Sequence, residues 1–193
     1  MRKSKINRKT SETDVKLELN LDLHKKSNIF TTIAFMDHML DLFSAHAGIN
    51  LNIVAKGDTE IDDHHLVEDI GITLGQAFKT AVGDKKGIAR YGHFLLPMDE
   101  ALAYVAVDIS GRPHLSYEAD IKFQKDGFNY DLIQEFFLAF VNNSGITLHI
   151  KMMKGRNNHH IAEAIFKGFG RALSQAIKIN KKNKKVPSTK GIL

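Results

Sequence analysis

At 193 residues, with 43% apolar and 25% charged residues, the chain has an ordinary globular composition and enough length to bury one core. No apolar run approaches the roughly 20 residues that span a bilayer, and the basic N-terminus leads into no apolar signal core. Cysteine is absent, which excludes disulfides and thiolate metal sites and suits a cytoplasmic protein. The net charge of +5 gathers at the two ends, in Arg2, Lys3, Lys5, Arg8 and Lys9 and in the run from Lys181 to Lys185. No aromatic residue interleaves with the tail lysines, so no base-stacking groove for nucleic acid is indicated and the run reads as solvated.

Along the chain, Val15, Leu17, Leu19 and Leu21 alternate as in a half-buried strand. A helical segment follows from Phe35 to His46, then an alternating strand from Gly48 to Ile53. Val67, Ile70, Gly71, Leu74 and Phe78 next mark one face of a second helix. Gly83 to Gly87, rich in turn residues and charge, is the natural linker. Beyond it Leu102 and Tyr104 alternate, Leu132 to Asn142 reads as helix, and Gly145 to Ile150 as strand. Ile165, Gly168, Phe169, Ala172, Leu173 and Ala176 form the last apolar face.

The chain is therefore written twice. Asp63-His64-His65-Leu66-Val67-Glu68 recurs as Asn158-His159-His160-Ile161-Ala162-Glu163, at an offset of 95 residues. Each half reads strand, strand, helix, strand, helix. The expected architecture is α+β, with two duplicated half-domains of about residues 8–83 and 90–180 and a basic tail, 181–193. Each half is a small mixed β-sheet with helices on one face, and the halves pack through those helices as one domain. Gly71, Gly75 and Gly168 would let the helices approach closely.

The repeated motif carries the chemistry. Helical positions i and i+4 share a face, so His64 projects with Glu68 and His159 with Glu163, while His65 and His160 stand about 100° round the axis. Imidazole plus carboxylate is a ligand set for Mn, Fe, Co, Ni or Zn. Adjacent histidines on a helix cannot easily reach one ion, so each pair suits two different metals. His38, in Asp37-His38-Met39-Leu40, falls at the start of a helix, with His46 two turns on. At an offset of 97 residues it corresponds to Glu135, which makes His38 and Glu135 candidate partners of the two motifs. His24, His93, His114 and His149 have no such support and read as surface or strand histidines.

Five blocks carry a more specific resemblance: Phe35-Met36-Asp37-His38-Met39-Leu40; Asp62-Asp63-His64-His65 with Glu68-Asp69; Pro97-Met98-Asp99-Glu100-Ala101; Asp108-Ile109-Ser110-Gly111-Arg112-Pro113; and Asn158-His159-His160 with Glu163-Ala164. In their order and spacing the sequence resembles the imidazoleglycerol-phosphate dehydratases from Arg8 to Gly191. The resemblance implies a manganese-dependent hydro-lyase of histidine biosynthesis, with two Mn²⁺ ions per active site. Its reaction dehydrates imidazole glycerol phosphate to imidazole acetol phosphate through a metal-stabilised imidazolate. It implies metal ligands at His38, His64, His65 and Glu68, and at Glu135, His159, His160 and Glu163. Position 135 often holds histidine in this family, and glutamate there keeps a ligand while adding charge. Glu12, Glu163 and Lys167 become the catalytic candidates. Substrate contacts are implied for those three except Glu163, for His38, His46, His64, Glu68 and His159, and, around the phosphate, for Arg90, Arg112, Ser188 and Lys190. The resemblance further implies a homo-oligomer of 24 subunits with sites completed across interfaces, and neither nucleic acid nor membrane as partner. A dinuclear metallohydrolase acting on a phosphate ester is the competing enzyme reading, and a metal-storing or metal-sensing oligomer the competing binding reading.

Overall fold

The computed structural model describes residues 2–121, 127–180, 182, 185–191 and 193. Of the basic run that opens the tail, Lys181 and Lys184 lie outside the described residues. The first half runs β1 (Lys3–Lys9), β2 (Thr13–Asn20), β3 (Asn28–Phe30), α1 (Ala34–Ala47), β4 (Asn50–Gly57) and α2 (His64–Val82). The second repeats that order as β5 (Tyr91–Met98), β6 (Ala101–Asp108), β7 (His114–Glu118), α3 (Leu132–Ser144), β8 (Thr147–Lys154) and α4 (Asn158–Ala176). The sheets are ordered β1-β2-β4-β3 and β5-β6-β8-β7. In each, only the short third strand pairs parallel. These are the expected duplicated α+β halves with mixed sheets.

Two details differ from the sequence reading. Each half has three strands before its first helix rather than two, because the short edge strands β3 and β7 carry little alternation of their own. In β6 the inward residues are Ala101, Ala103, Val105 and Val107, while Leu102 is half-buried and Tyr104 exposed. The larger side chains face out because α4 lies almost on the sheet. A Cβ added at Gly92 would meet the Ala172 carbonyl oxygen at 1.9 Å. Strand β2 follows the expected alternation, with Val15, Leu17 and Leu19 buried.

The helices bridge the halves. α2 covers β1 and β2 and packs on α3 of the other half, while α4 covers β5 and β6 and packs on α1. Gly71 sets the first approach, since a Cβ there would stand 2.6 Å from the Phe136 carbonyl oxygen. Gly168 instead faces Val105 of its own sheet, and Gly170 makes the close approach to α1. Aromatic rings of α1, α3 and α4 fill the shared core, with Phe169 5.0 Å from Phe43 and 5.4 Å from Phe140. Each half thus completes the other's core. The same cross-packing carries His38, near the start of α1, to the first turns of α4.

Candidate metal centre

Helix α4 opens with its histidines placed by its cap. The Asn157 side chain accepts the backbone N–H of His159 at 2.9 Å and of His160 at 3.3 Å. His159 Nε2 then lies 2.9 Å from Glu163 Oε1, and His38 Nε2 lies 3.0 Å from the same oxygen. The two imidazoles are stacked at 5.6 Å. Ligand atoms of His38, His159 and Glu163 all fall within 4.8 Å of one another, the one such trio among the described residues. Two imidazole nitrogens converging on one carboxylate oxygen are a donor set that fits a divalent transition metal.

Glu163 is buried, and Lys167 one turn later donates to its second oxygen. Burial alone would raise its pKa, but the hydrogen bonds from Lys167, His38 and His159 outweigh that and hold it down to about 2. The carboxylate stays charged, as ligation requires. Lys167 Nζ also sits 3.4 Å from Met98 Sδ at the end of β5. His46, two turns along α1, has a buried Nδ1 with no partner among the described residues. Burial, then Arg171 and Lys167, pushes its pKa down, so it is a neutral ring facing the same helix.

The first-half motif opens α2 differently. Asp62 rather than the cap residue accepts the His64 N–H, at 2.8 Å. His64, Glu68 and Glu135 are not gathered as His38, His159 and Glu163 are. The repeat partner of Lys167 is Ile72, so two carboxylates here lack the cation that steadies Glu163. His64 does reach the start of α3, sharing a cleft of about 280 Å³ with Gly127, Asn129 and Leu132. The neighbouring Phe128 stacks on Phe35 at 4.5 Å, and Phe35 meets the His159 ring at 5.8 Å. Both motifs therefore lie at one end of the molecule, joined by the 127–130 segment.

Glu12 sits in the β1–β2 turn beside a cleft of about 400 Å³, its Oε2 3.8 Å from His65 Nδ1. A network unforeseen from the sequence ties that turn to α2. Arg8 Nε donates to Asp69 Oδ1 at 2.7 Å, and Thr13 Oγ1 donates to Asp69 Oδ2. Asp69 is buried, and its repeat partner is Ala164, so only this half is so tied. Asp69→Ala should cost about 3 kcal/mol, because it strips both donors of their acceptor. A thermal melt should show a loss of roughly 6–12 °C, whereas an unchanged midpoint would mean that the network is not structural.

The expected phosphate residues gather elsewhere. Arg90 chelates Asp108 through Nε at 2.7 Å and Nη2 at 3.2 Å, and its Nη1 donates to the Pro187 carbonyl at 3.0 Å. The side-chain hydrogen bond to Asp108 raises its pKa further. The tail turns at Ser188, whose Oγ accepts the Lys190 N–H at 3.2 Å and whose carbonyl accepts that of Gly191 at 3.1 Å. Arg112, exposed, lies in the turn before β7, next to Gly111, which the tail's Leu193 and the Lys85 amine approach. Arg90 precedes β5 and Met98 ends it, so eight residues, roughly 26 Å of extended strand, separate this cluster from Lys167.

The comparisons with known proteins agree with the family that the five sequence blocks resemble. The family model described as imidazoleglycerol-phosphate dehydratase matches residues 31–173. The chain belongs to this family. A relative of that name from Endomicrobium trichonymphae is 70% identical over 192 residues, covering 100% of this chain and 98% of its own. One from a Synechococcus strain is 55% identical over 195 residues, covering 100% and 96%. The dehydratase structure from Staphylococcus aureus superposes with a TM-score of 0.84 at 44% identity, over 92% of this chain and 99% of its own. That from Pyrococcus furiosus gives 0.85 at 41%, over 97% and 100%. The duplicated architecture is thus that of the family.

Proposed function

We propose that the chain dehydrates imidazole glycerol phosphate to imidazole acetol phosphate in histidine biosynthesis, as a manganese-dependent hydro-lyase with two Mn²⁺ ions per active site. The observation that carries the metal reading is the convergence of His38, His159 and Glu163 across the two halves. His64, Glu68 and Glu135, with His65 and His160, are the further ligands. When bound, the ions act as Lewis acids toward the substrate's imidazole and fix its orientation.

The protein's part follows from the site. The proton to be removed sits on a carbon bearing a hydroxyl and no carbonyl, so it is barely acidic and a carboxylate must be placed against it. Glu12, on its anchored turn beside His65, and Glu163 are the two carboxylates offered. Lys167 keeps Glu163 charged and aimed. Water leaves from the carbon attached to the ring, the proton leaves from its neighbour, and the resulting enol becomes the ketone. Arg90 orders the tail, while Arg112, Ser188 and Lys190 receive the phosphate.

A five-membered ring on a three-carbon phosphate chain is far shorter than the strand that separates the metal trio from Arg90. One chain cannot serve both ends of its substrate. We therefore infer a homo-oligomer, 24 subunits in the form the family resemblance implies, in which the tail of one copy completes the site of another. A cytoplasmic location agrees with a chain in which no described helix is long and apolar enough to cross a membrane. Chelator-stripped protein, assayed for ketone and free phosphate together, tests the whole reading. Ketone should appear only after Mn²⁺ is restored, with phosphate retained. Phosphate release without ketone would place the chain among hydrolases instead.

A further inference from the structure

In both halves the second histidine of the motif is held by a carboxylate to which the ligand assignments give no role. We propose that Asp58 and Glu100 are positioning residues, turning Nε2 of His65 and of His160 toward a divalent cation. The inference rests on the metal reading above.

His65 Nδ1 lies 3.0 Å from Asp58 Oδ2, in the loop that leaves β4. His160 Nδ1 lies 2.7 Å from Glu100 Oε2, in the β5–β6 turn. A carboxylate accepts only, so each Nδ1 carries the hydrogen, and the lone pair of the neutral ring is left on Nε2. The two carboxylates come from loops that are not equivalent in the two halves. Asp58 lies seven residues before its histidine and Glu100 sixty before, yet the same ring nitrogen is engaged in both halves. A surface ion pair formed by chance would not repeat across a pseudo-symmetry axis with the same atom.

Glu100 is itself fixed. Glu100 Oε1 accepts the backbone N–H of Asn157 at 2.8 Å and of Arg156 at 3.1 Å, so one side chain joins the hairpin tip, the α4 cap and the His160 ring. Asp58 Oδ1 is buried with no partner among the described residues, leaving that side chain short of a donor. Such carboxylate–imidazole pairs orient a ring and raise its basicity toward a metal.

The test uses the full chain in its assembled form, stripped of metal and titrated with Mn²⁺ in a calorimeter. Asp58→Ala and Glu100→Ala should each weaken Mn²⁺ binding about 10- to 100-fold, with Glu100→Gln, which keeps an acceptor, in between. Glu100 also supports the α4 cap, so Asp58→Ala, free of that second role, is the cleaner variant. A double variant separates positioning from simple loosening. In a His65→Gln background, Asp58→Ala should weaken binding no further, whereas an additive loss would overturn the proposal. Unchanged affinity in both alanine variants of a parent that binds Mn²⁺ would overturn it alone. A parent that binds no Mn²⁺ would overturn it together with the metal reading.

Discussion

Glu163→Gln should abolish tight metal binding and lower kcat/KM by about 10³-fold, within the 10²–10⁴ range of acid–base catalysis alone, and by more than about 10⁴-fold if both roles fall on it. The carboxylate accepts His38 and His159 on one oxygen and Lys167 on the other while almost fully buried. An amide is nearly isosteric but neutral, and its NH₂ group must face either the two imidazoles or the lysine. Facing Lys167, the NH₂ group opposes a donor; facing the imidazoles, it makes both rings accept, and either way the charge that draws the cluster together is lost. Glu12→Gln provides the contrast. Glu12 is half exposed and stands near His65, outside the trio, so its variant should keep the Mn²⁺ stoichiometry of the parent and lose rate. If Glu163→Gln retains metal and turns over normally, Glu163 is neither ligand nor base. If it retains metal and loses rate, its role is proton transfer alone. Metal content by emission spectroscopy beside steady-state kinetics separates these outcomes.

The His159–Glu163 pair was legible in the sequence because it is local chemistry written into a repeat. His159 and Glu163 are four residues apart on one helix, and the offset of 97 residues pointed from His38 to Glu135. The sequence could not show which helix of one half meets which of the other; the packing of α1 on α4 decides that His38 joins Glu163. Asp58 and Glu100 escaped for another reason. They come from loops whose spacing to their histidines differs between the halves, so no repeat offset aligns them, although acidic tips on equivalent hairpins were visible at Glu12 and at Asp99-Glu100. The error in β6 has the same root. The alternation was read on Leu102 and Tyr104, but how closely α4 approaches the sheet is a long-range property, and the residues that face it are Ala101, Ala103, Val105 and Val107.

Removing residues 186–193 should raise KM about 100-fold and leave metal content untouched, because the tail lies at the far end of β5 from the trio. The tail has a defined path. Gly87 N donates to the Lys185 carbonyl at 3.0 Å, and Arg90 then holds the Pro187 carbonyl while Asp108 locks the guanidinium. Arg90 thus commits three of its N–H groups to order, and the exposed Arg112 and Lys190 are placed to meet a phosphate. Two charge-assisted hydrogen bonds lost with Ser188 and Lys190, at about 1.5–3 kcal/mol each, correspond to a KM change of that size or larger. Arg90→Ala should follow the truncation in direction, since it frees the tail without deleting it. Mixing experiments then ask whether the tail serves its own chain. Co-assembly of the truncated chain with a full-length Glu163→Gln chain should recover activity if one copy's tail closes over another copy's metals. No recovery would mean that each chain closes its own site, against the strand length that separates them.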